Sequence, residues 1–178
     1  MQLPKYKRVT YDEKTLQKRI KELGAQISAD YAQKELILVS VLKGTLYFFA
    51  DLTRAIDLPI MLDFMAIGVY PHATDQTGAV RITKDLDIDI SGRHVLVIED
   101  IIRTGLTTGY LVQNLEARSP ASVKVCSLLV NPERQLIDVP IAYCGFRVPD
   151  TWLVGYGMDV GEKWRNIPCV LEVDRADL

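Results

Sequence analysis

The sequence predicts a single α/β domain, spanning residues 1–178, with a mainly parallel core sheet flanked by helices on both faces. Three observations support this fold class. The chain has 178 residues, about the size of one ordinary domain. Its apolar runs are continuous and of strand length, as expected for a sheet covered on both faces. Helix-length segments separate these runs, and such alternation favours parallel strands joined by right-handed crossovers.

Local patterns predict the elements of the first half. Thr10 and Glu13 fit a capping box that opens a helix. The apolar stripe of this helix recurs at four- and three-residue spacing: Leu16, Ile20, Leu23, Ile27 and Tyr31. Continuous apolar runs then predict strands at residues 36–41 and 60–69, with a helix at 47–56 between them.

The second half continues the alternation. A polar loop at 70–79 precedes a short edge strand at 80–86. Apolar runs predict four further strands, at residues 94–99, 122–130, 141–144 and 152–154. A helix at 106–118 connects the first two of these strands, and an irregular tail follows the last one.

Composition narrows the function classes. Hydrophobic residues make up 48% and charged residues 25% of the chain, and the formal net charge is −2. These values are typical of globular proteins and give no overall basic footprint for nucleic acid. No apolar run approaches the ~18–20 residues of a membrane helix, and no secretion signal is recognisable. We therefore expect a soluble, cytoplasmic protein without nucleic-acid or membrane partners.

Cysteines and histidines form no recognisable catalytic or metal-binding pattern. Cys126 and Cys144 lie in apolar, strand-like runs, which is typical of buried free cysteines. Cys169 has no histidine near it in sequence, and His72 and His94 are the only two histidines. A metal site or catalytic triad built on histidine is therefore poorly supplied. Dinucleotide-binding and P-loop motifs are also missing from the sequence.

The strongest motif lies at residues 94–108, where a predicted strand leads into Glu99, Asp100 and a Thr/Gly-rich turn before a helix. Ligands of parallel α/β sheets bind beyond the carboxyl ends of the strands. The backbone N–H groups of such a turn and the helix N-terminus favour a phosphate, while adjacent carboxylates suit sugar hydroxyls or Mg²⁺. The motif therefore predicts a site for a phosphorylated sugar. The structural alternative is that Asp100 only caps the turn.

This stretch resembles the loop that binds 5-phosphoribosyl 1-pyrophosphate (PRPP) in type I phosphoribosyltransferases. Further stretches narrow the resemblance to the hypoxanthine-guanine phosphoribosyltransferases, in family order and at similar spacing: 41–44, 62–66, 78–86, 145–150 and 154–159, with Arg165 beyond. The resemblance implies the type I phosphoribosyltransferase fold, with a small hood built from the N-terminal segment and the residues after about 130.

The resemblance also implies an activity. Members of this family are purine salvage enzymes that transfer phosphoribosyl from PRPP to hypoxanthine or guanine, giving IMP or GMP and pyrophosphate. They use Mg²⁺ and are homodimers or homotetramers. By resemblance, Glu99 and Asp100 hold the ribose hydroxyls directly or through Mg²⁺. The 5′-phosphate is wrapped by the turn that follows: Thr104, Gly105, Leu106 and Thr107.

The pyrophosphate side is implied in the same way. Lys43 and Gly44 match the pyrophosphate-binding loop, in which the family often has a non-proline cis peptide. Asp159 resembles the second Mg²⁺ site, and Arg165 resembles the residue that clamps the pyrophosphate. Taken singly, each has a structural alternative, such as a solvated charge for Lys43 or a turn residue for Asp159.

The base side keeps two family features. Trp152 stands where an aromatic ring stacks on the purine, and Leu153 offers its backbone to the base edge. Arg103 stands where the family has an aspartate beside purine N7, and a guanidinium only donates hydrogen bonds. Asn131 stands where a lysine reads the purine 6-oxygen. Of the Ser-Tyr pair in the closing loop, only Tyr70 is kept.

These departures favour an alternative function. The chain would then be an altered-specificity or catalytically weak homologue that acts as a PRPP- or nucleotide-binding regulator. Under the main interpretation it is an active hypoxanthine(-guanine) phosphoribosyltransferase, with activity reduced by Arg103.

Overall fold

The computed structural model of this chain describes residues 3–69 and 80–174. Its strands and helices follow one another in this order: β1 Tyr6–Tyr11, α1 Glu13–Asp30, β2 Leu36–Leu42, α2 Leu46–Ala55, β3 Met61–Val69, β4 Val80–Lys84, β5 His94–Ile102, α3 Leu106–Glu116, β6 Ser122–Val130, β7 Ile141–Arg147, β8 Trp152–Val154 and β9 Val170–Val173. A short 3₁₀ helix, Pro132–Arg134, separates β6 from β7. None of the helices within the described ranges is long and apolar enough to cross a lipid bilayer.

The central sheet has six strands in the order β4-β3-β2-β5-β6-β7. All neighbours are parallel except the edge pair β3–β4, which is antiparallel. This confirms the predicted mainly parallel sheet and its edge strand. Because β2 and β5 are parallel neighbours, the loops that follow them lie side by side at one edge of the sheet.

Both faces of this sheet are buried, as the continuous apolar runs predict. Leu36 and Leu38 of β2 belong to the core on the α1–α2 face, whereas Ile37 and Val39 belong to the core on the α3 face. Successive strand residues point to opposite faces, so a strand with a helix on each side must be apolar throughout.

A second, three-stranded sheet is formed by β1, β9 and β8 in that order, all antiparallel. It joins the N-terminal segment to the C-terminal part of the chain and therefore matches the implied hood. Its strand β9 corrects the prediction of an irregular tail. Neither β1 nor β9 is marked by a local pattern, because each is short and its partner lies at the other end of the chain.

Two local predictions are also wrong. The N-cap of α1 is Asp12, whose Oδ1 accepts a hydrogen bond from the Thr15 backbone N–H at 2.7 Å. Thr10 cannot cap the helix because it lies within β1, whose pairing with β9 keeps the backbone extended as far as Tyr11. The other error concerns β5, which pairs with β6 as far as Ile102 rather than ending at Glu99.

Candidate active site

Glu99 and Asp100 lie inside β5, near its carboxyl end. Consecutive strand residues point to opposite faces, so the two carboxylates serve different surroundings. Glu99 is buried and accepts a hydrogen bond from the Thr108 hydroxyl of α3 at 3.1 Å. Asp100 is partly buried, and its Oδ1 accepts from the Ile101 backbone N–H at 2.8 Å.

The loop after β2 packs directly on Asp100. A Cβ placed on Gly44 would lie 1.9 Å from Asp100 Oδ2, and a Cβ placed on Gly157 would lie 1.8 Å from the Gly44 carbonyl oxygen. Gly157 also has φ +101°, a conformation that side chains disfavour. The Leu42–Lys43 peptide of the same loop is cis. Gly44 therefore packs on Asp100, and Gly157 packs on Gly44, with no space for a side chain at either glycine.

The turn after β5 provides a phosphate-sized cradle. Gly105, with φ +80°, is the N-cap of α3 and has no side chain to cap the first turn, where the Leu106 N–H donates to Thr104 Oγ1 at 3.4 Å. The adjoining cleft has a volume of about 240 Å³ and includes Glu99, Arg103, Thr104, Gly105 and Thr107 in its lining. Helix N-termini of this kind favour anions.

Positive charge near the two carboxylates does not offset their burial. Burial, followed by the charge of Asp100, raises the pKa of Glu99 to about 8, and the Thr108 hydrogen bond offsets this only in part. Burial also raises the pKa of Asp100, although the Ile101 N–H and the charge of Arg165 oppose the shift. A bound cation or a set of sugar hydroxyls would supply the interactions that the ionised carboxylates need.

The basic residues of the site are held by acidic partners. Arg165 donates from Nη1 to the Gly157 carbonyl and pairs through Nη2 with Asp159, both at 2.8 Å. Lys43 is exposed and pairs with Glu162 at 2.9 Å. Glu162 also accepts from Arg165 at 3.2 Å. The loop that carries Asp159 thus brings Lys43 and Arg165 to the same side of the site.

The carboxylate oxygens of Glu99, Asp100 and Asp159 are the hard ligands that Mg²⁺ prefers. Within residues 3–69 and 80–174, no group of three histidine, cysteine or acidic residues is close enough to hold a metal by itself. The residues therefore fit an ion that takes one or two protein carboxylates and completes its shell with substrate oxygens and water, as Mg²⁺ does in phosphate-transfer sites.

A second cleft, of about 250 Å³, is lined by Arg103, Thr104, Arg134, Asp150 and Trp152. The guanidinium carbon of Arg103 lies 5.7 Å from the centroid of the half-exposed Trp152 ring. Its Nη2 donates to the Thr151 carbonyl at 3.3 Å, and its Nη1 lies 3.9 Å from Asp150. A cationic group therefore faces an aromatic ring at this end of the site.

Asn131 is used inside the fold. Its side chain is 1% exposed, and its Oδ1 accepts from the Glu133 backbone N–H at 3.0 Å, which caps the short 3₁₀ helix. Leu153 is buried in β8, opposite Glu172 of β9. Tyr70 lies outside the described residues.

Comparisons with known proteins agree with this geometry. Residues 10–160 match the phosphoribosyl transferase domain family. The hypoxanthine-guanine phosphoribosyltransferase of Mycobacterium tuberculosis is 44% identical over 165 residues, covering 89% of this chain and 82% of the relative. That of Bacillus subtilis is 42% identical over 163 residues, covering 92% and 91%. This chain belongs to the hypoxanthine-guanine phosphoribosyltransferase family.

A solved hypoxanthine phosphoribosyltransferase from Staphylococcus aureus has the same fold. It superposes with a TM-score of 0.90 at 39% identity, covering 95% of this chain and 92% of the other. The type I phosphoribosyltransferase fold expected from the resemblance is thereby confirmed, and so is the family.

The phosphoribosyltransferase site residues expected from the sequence fall into two groups. Around Asp100 the structure brings together the loop at 43–44 and the charge of Arg165, while the turn at 104–107 lines a cleft with the neighbouring Glu99. Around Trp152 it places Arg103, but not the Asn131 amide.

Three site residues were missed by the sequence reasoning: Arg134, Asp150 and Glu162. What reveals them is ion pairing between distant parts of the folded chain. Arg134 pairs with Asp150, and Glu162 pairs with Lys43.

Proposed function

We propose that this chain transfers the 5-phosphoribosyl group of PRPP to N9 of hypoxanthine or guanine, forming IMP or GMP and pyrophosphate. The observation that carries the proposal is the pair of adjacent carboxylates, the buried Glu99 and the partly buried Asp100, with Glu99 lining the cleft at the turn after β5 and Asp100 packed against Gly44. Purine salvage by the curated relatives, at 42–44% identity, supports the same activity.

The residues divide the substrate between them. The turn at 104–107 binds the 5′-phosphate, while Glu99 and Asp100 bind the ribose hydroxyls. Lys43 and Arg165 turn from Glu162 and Asp159 toward the pyrophosphate. Mg²⁺, held by the carboxylates together with substrate oxygens, would neutralise charge on the leaving pyrophosphate.

During transfer the C1′–O bond to pyrophosphate breaks, the C1′–N9 bond forms, and the imidazole ring of the base loses a proton. Positive charge develops on the sugar as the leaving group departs. The ionised Glu99 and Asp100 lie on the ribose side and stabilise that charge, so positioning and electrostatics supply most of the rate.

A second candidate function is a weakly catalytic homologue that binds PRPP or a nucleotide and acts as a regulator. Arg103 favours it, because a guanidinium stays protonated and cannot accept the proton of the base. A well-placed proton acceptor contributes about 10²–10⁴-fold in rate. Arg103→Asp should then raise kcat for hypoxanthine and guanine.

The deciding experiment combines turnover and binding. Turnover is assayed with hypoxanthine, guanine, xanthine, adenine and uracil at saturating PRPP and Mg²⁺, and PRPP binding is measured separately by calorimetry. A kcat of about 1–10³ s⁻¹ with a 6-oxopurine supports the transferase. PRPP binding without turnover supports the regulator, and no binding at millimolar PRPP rejects both.

From family membership we further propose a cytoplasmic homodimer or homotetramer in which residues 1–178 form one domain. Sedimentation equilibrium of the purified chain tests the assembly, and a monomer at micromolar concentration would contradict it.

A further inference from the structure

Arg103 and Thr104 line both the phosphate cleft and the Trp152 cleft, so the Arg103 side chain lies where a sugar-phosphate site meets a base site. It is also oriented by its neighbours. The Thr151 carbonyl accepts from Nη2, Asp150 attracts Nη1, and the guanidinium carbon lies over the Trp152 ring, 5.7 Å from its centroid, so a base that stacks on this ring moves the guanidinium to the edge of the base.

The partner of Arg103 is itself anchored. Arg134 donates to Asp150 Oδ2 from Nε at 2.8 Å and from Nη2 at 2.5 Å, leaving Asp150 Oδ1 nearest to Arg103. This hydrogen bonding lowers the pKa of Asp150, so its carboxylate stays ionised at neutral pH. The two arginines and the aspartate therefore form a fixed row along the wall of the Trp152 cleft.

We propose that Arg103 is the specificity-determining residue for the base: its guanidinium donates hydrogen bonds to O6 and to the unprotonated N7 of a 6-oxopurine nucleotide stacked on Trp152. This assignment rests on the proposed function of the site. It makes Arg103 a reader of the nucleotide product, whichever group takes the proton during transfer.

The chemistry of the guanidinium determines the ligand. Arginine presents five N–H donors and no acceptor, so its partner must offer acceptors at each contacted position. O6 and N7 lie together on one edge of a 6-oxopurine, and this is the edge that arginine contacts in a bidentate manner in guanine recognition. A 6-aminopurine presents a donor in place of O6 and is rejected.

The same donor-only chemistry makes Arg103 distinguish a nucleotide from a free base. Once N9 carries ribose, N7 has no proton and accepts a hydrogen bond. A free base that carries its imidazole proton on N7 presents a donor to the guanidinium instead. Arg103 therefore favours IMP and GMP over the base tautomer that would attack PRPP through N9.

Asn131 is not positioned to contact the edge of the base. Its amide oxygen is already bonded to the Glu133 N–H, and the residue is almost fully buried. Its side chain is not part of the wall that Arg103, Asp150 and Trp152 provide.

The test measures dissociation constants by calorimetry for GMP, 7-deaza-GMP, IMP and AMP. Compared with GMP, 7-deaza-GMP has C–H in place of N7 and therefore lacks that acceptor. Compared with IMP, AMP has an amino group in place of O6 and therefore presents a donor there. The wild type should bind GMP about 10-fold more tightly than 7-deaza-GMP, and IMP about 10–100-fold more tightly than AMP. Both ratios should fall to about 1 in Arg103→Met. Ratios near 1 in the wild type, or ratios that persist in Arg103→Met, overturn the proposal.

Asn131→Ser is the matched variant, because serine keeps the N-cap but is too short to reach a base. Its two ratios should equal those of the wild type, and their collapse would identify Asn131 as the reader instead. Mg²⁺-dependent PRPP binding is measured in every variant. If PRPP binds but the nucleotide ratios are flat, only this inference fails. If the wild type binds neither PRPP nor nucleotide, the proposed function fails with it.

Discussion

Asp63 and Glu99 are both buried carboxylates in the central sheet, but the fold treats them differently. Asp63 on β3 is 4% exposed and accepts three backbone N–H groups at 2.7–2.9 Å, from Phe64, Asp87 and Ile88. Burial alone would raise its pKa, but these bonds and the charge of Lys84 outweigh burial and lower it. The fold provides this carboxylate with its full set of partners.

Glu99 on β5 is 7% exposed, with one hydroxyl donor from Thr108 and a second carboxylate, Asp100, beside it. Its pKa is raised to about 8. The contrast shows which buried charge is structural. Asp63 holds the segment after β4 in place, whereas Glu99 and Asp100 are under-compensated until a ligand supplies the missing interactions.

Replacing aspartate by asparagine, at Asp100 and at Asp63, gives the largest expected difference between the ligand-binding carboxylates and the structural one. Asp100→Asn keeps the acceptor for Ile101 N–H but removes the charge. We expect Mg²⁺-dependent PRPP affinity to fall by about 30–1000-fold, the usual effect of removing one charged partner from a hydrogen-bonded contact between opposite charges. Thermal stability should be unchanged or higher, because repulsion with Glu99 is relieved.

Calorimetry and thermal melting of Asp100→Asn measure the two quantities. Unchanged PRPP affinity would show that the carboxylate does not contact the ligand, and a large loss of stability would show that Asp100 is structural like Asp63.

Asp63→Asn should reverse the pattern. An amide offers a weaker, neutral acceptor to three N–H groups and turns its own N–H₂ toward donors. The free energy of unfolding should fall by about 2–4 kcal/mol, measured by urea denaturation. PRPP affinity of the folded protein should stay within about threefold of the wild type. A loss of stability below about 0.5 kcal/mol would remove the distinction between the two sites.

Stability should depend on pH in opposite directions at the two carboxylates. Glu99 binds its proton more tightly when folded, so its contribution is present below the usual pKa of 4.5 and is lost as pH rises toward 8. The folded protein lowers the pKa of Asp63, so this carboxylate stabilises the fold at neutral pH. Its contribution is lost at acidic pH, as the pH falls through the folded pKa.

The free energy of unfolding of the ligand-free protein should therefore fall by roughly 1–3 kcal/mol between pH 5 and pH 8. Glu99→Gln should flatten most of this slope, whereas Mg²⁺-dependent PRPP binding should tighten as pH rises in the wild type. A stability that increases across this range would contradict the raised pKa of Glu99.

Thr108→Val gives the smallest expected effect. Valine keeps the shape of the buried threonine but removes the only donor described for Glu99 among residues 3–69 and 80–174. The stability of the folded protein at pH 8 should fall by about 0.5–1.5 kcal/mol. The pKa of Glu99 should rise further, moving the pH midpoint of PRPP binding upward. An unchanged midpoint would indicate that the hydroxyl is not an effective donor.

The central sheet could be predicted because its inner strands β2, β5 and β6 are largely buried on both faces. The pair Glu99–Asp100 and the turn after it could be predicted because they are contiguous in sequence. The N-cap could not, since Thr10 and Asp12 are equally suitable until β9 extends β1 past residue 10.

The arrangement of side chains in the Trp152 cleft could not be predicted from the sequence. The departure at Arg103 is visible in the sequence, but its ion pair with Asp150 is not, because the segment before β8 approaches Arg103 only in the folded chain. Arg134 joins this group by pairing with Asp150. The use of the Asn131 amide as a cap depends on a backbone N–H two residues away.

The close packing of Gly44 on Asp100 and of Gly157 on Gly44 has an evolutionary consequence. One added methyl group at Gly44 would displace Asp100, and one at Gly157 would displace the backbone of Gly44, so single substitutions at either glycine are disfavoured. The partly exposed wall formed by Arg103, Asp150 and Arg134 has room to vary. Under the proposed function, the chain can change the base that it accepts while its contacts to the phosphoribosyl group are preserved, and directed evolution should recover new specificities at this wall first.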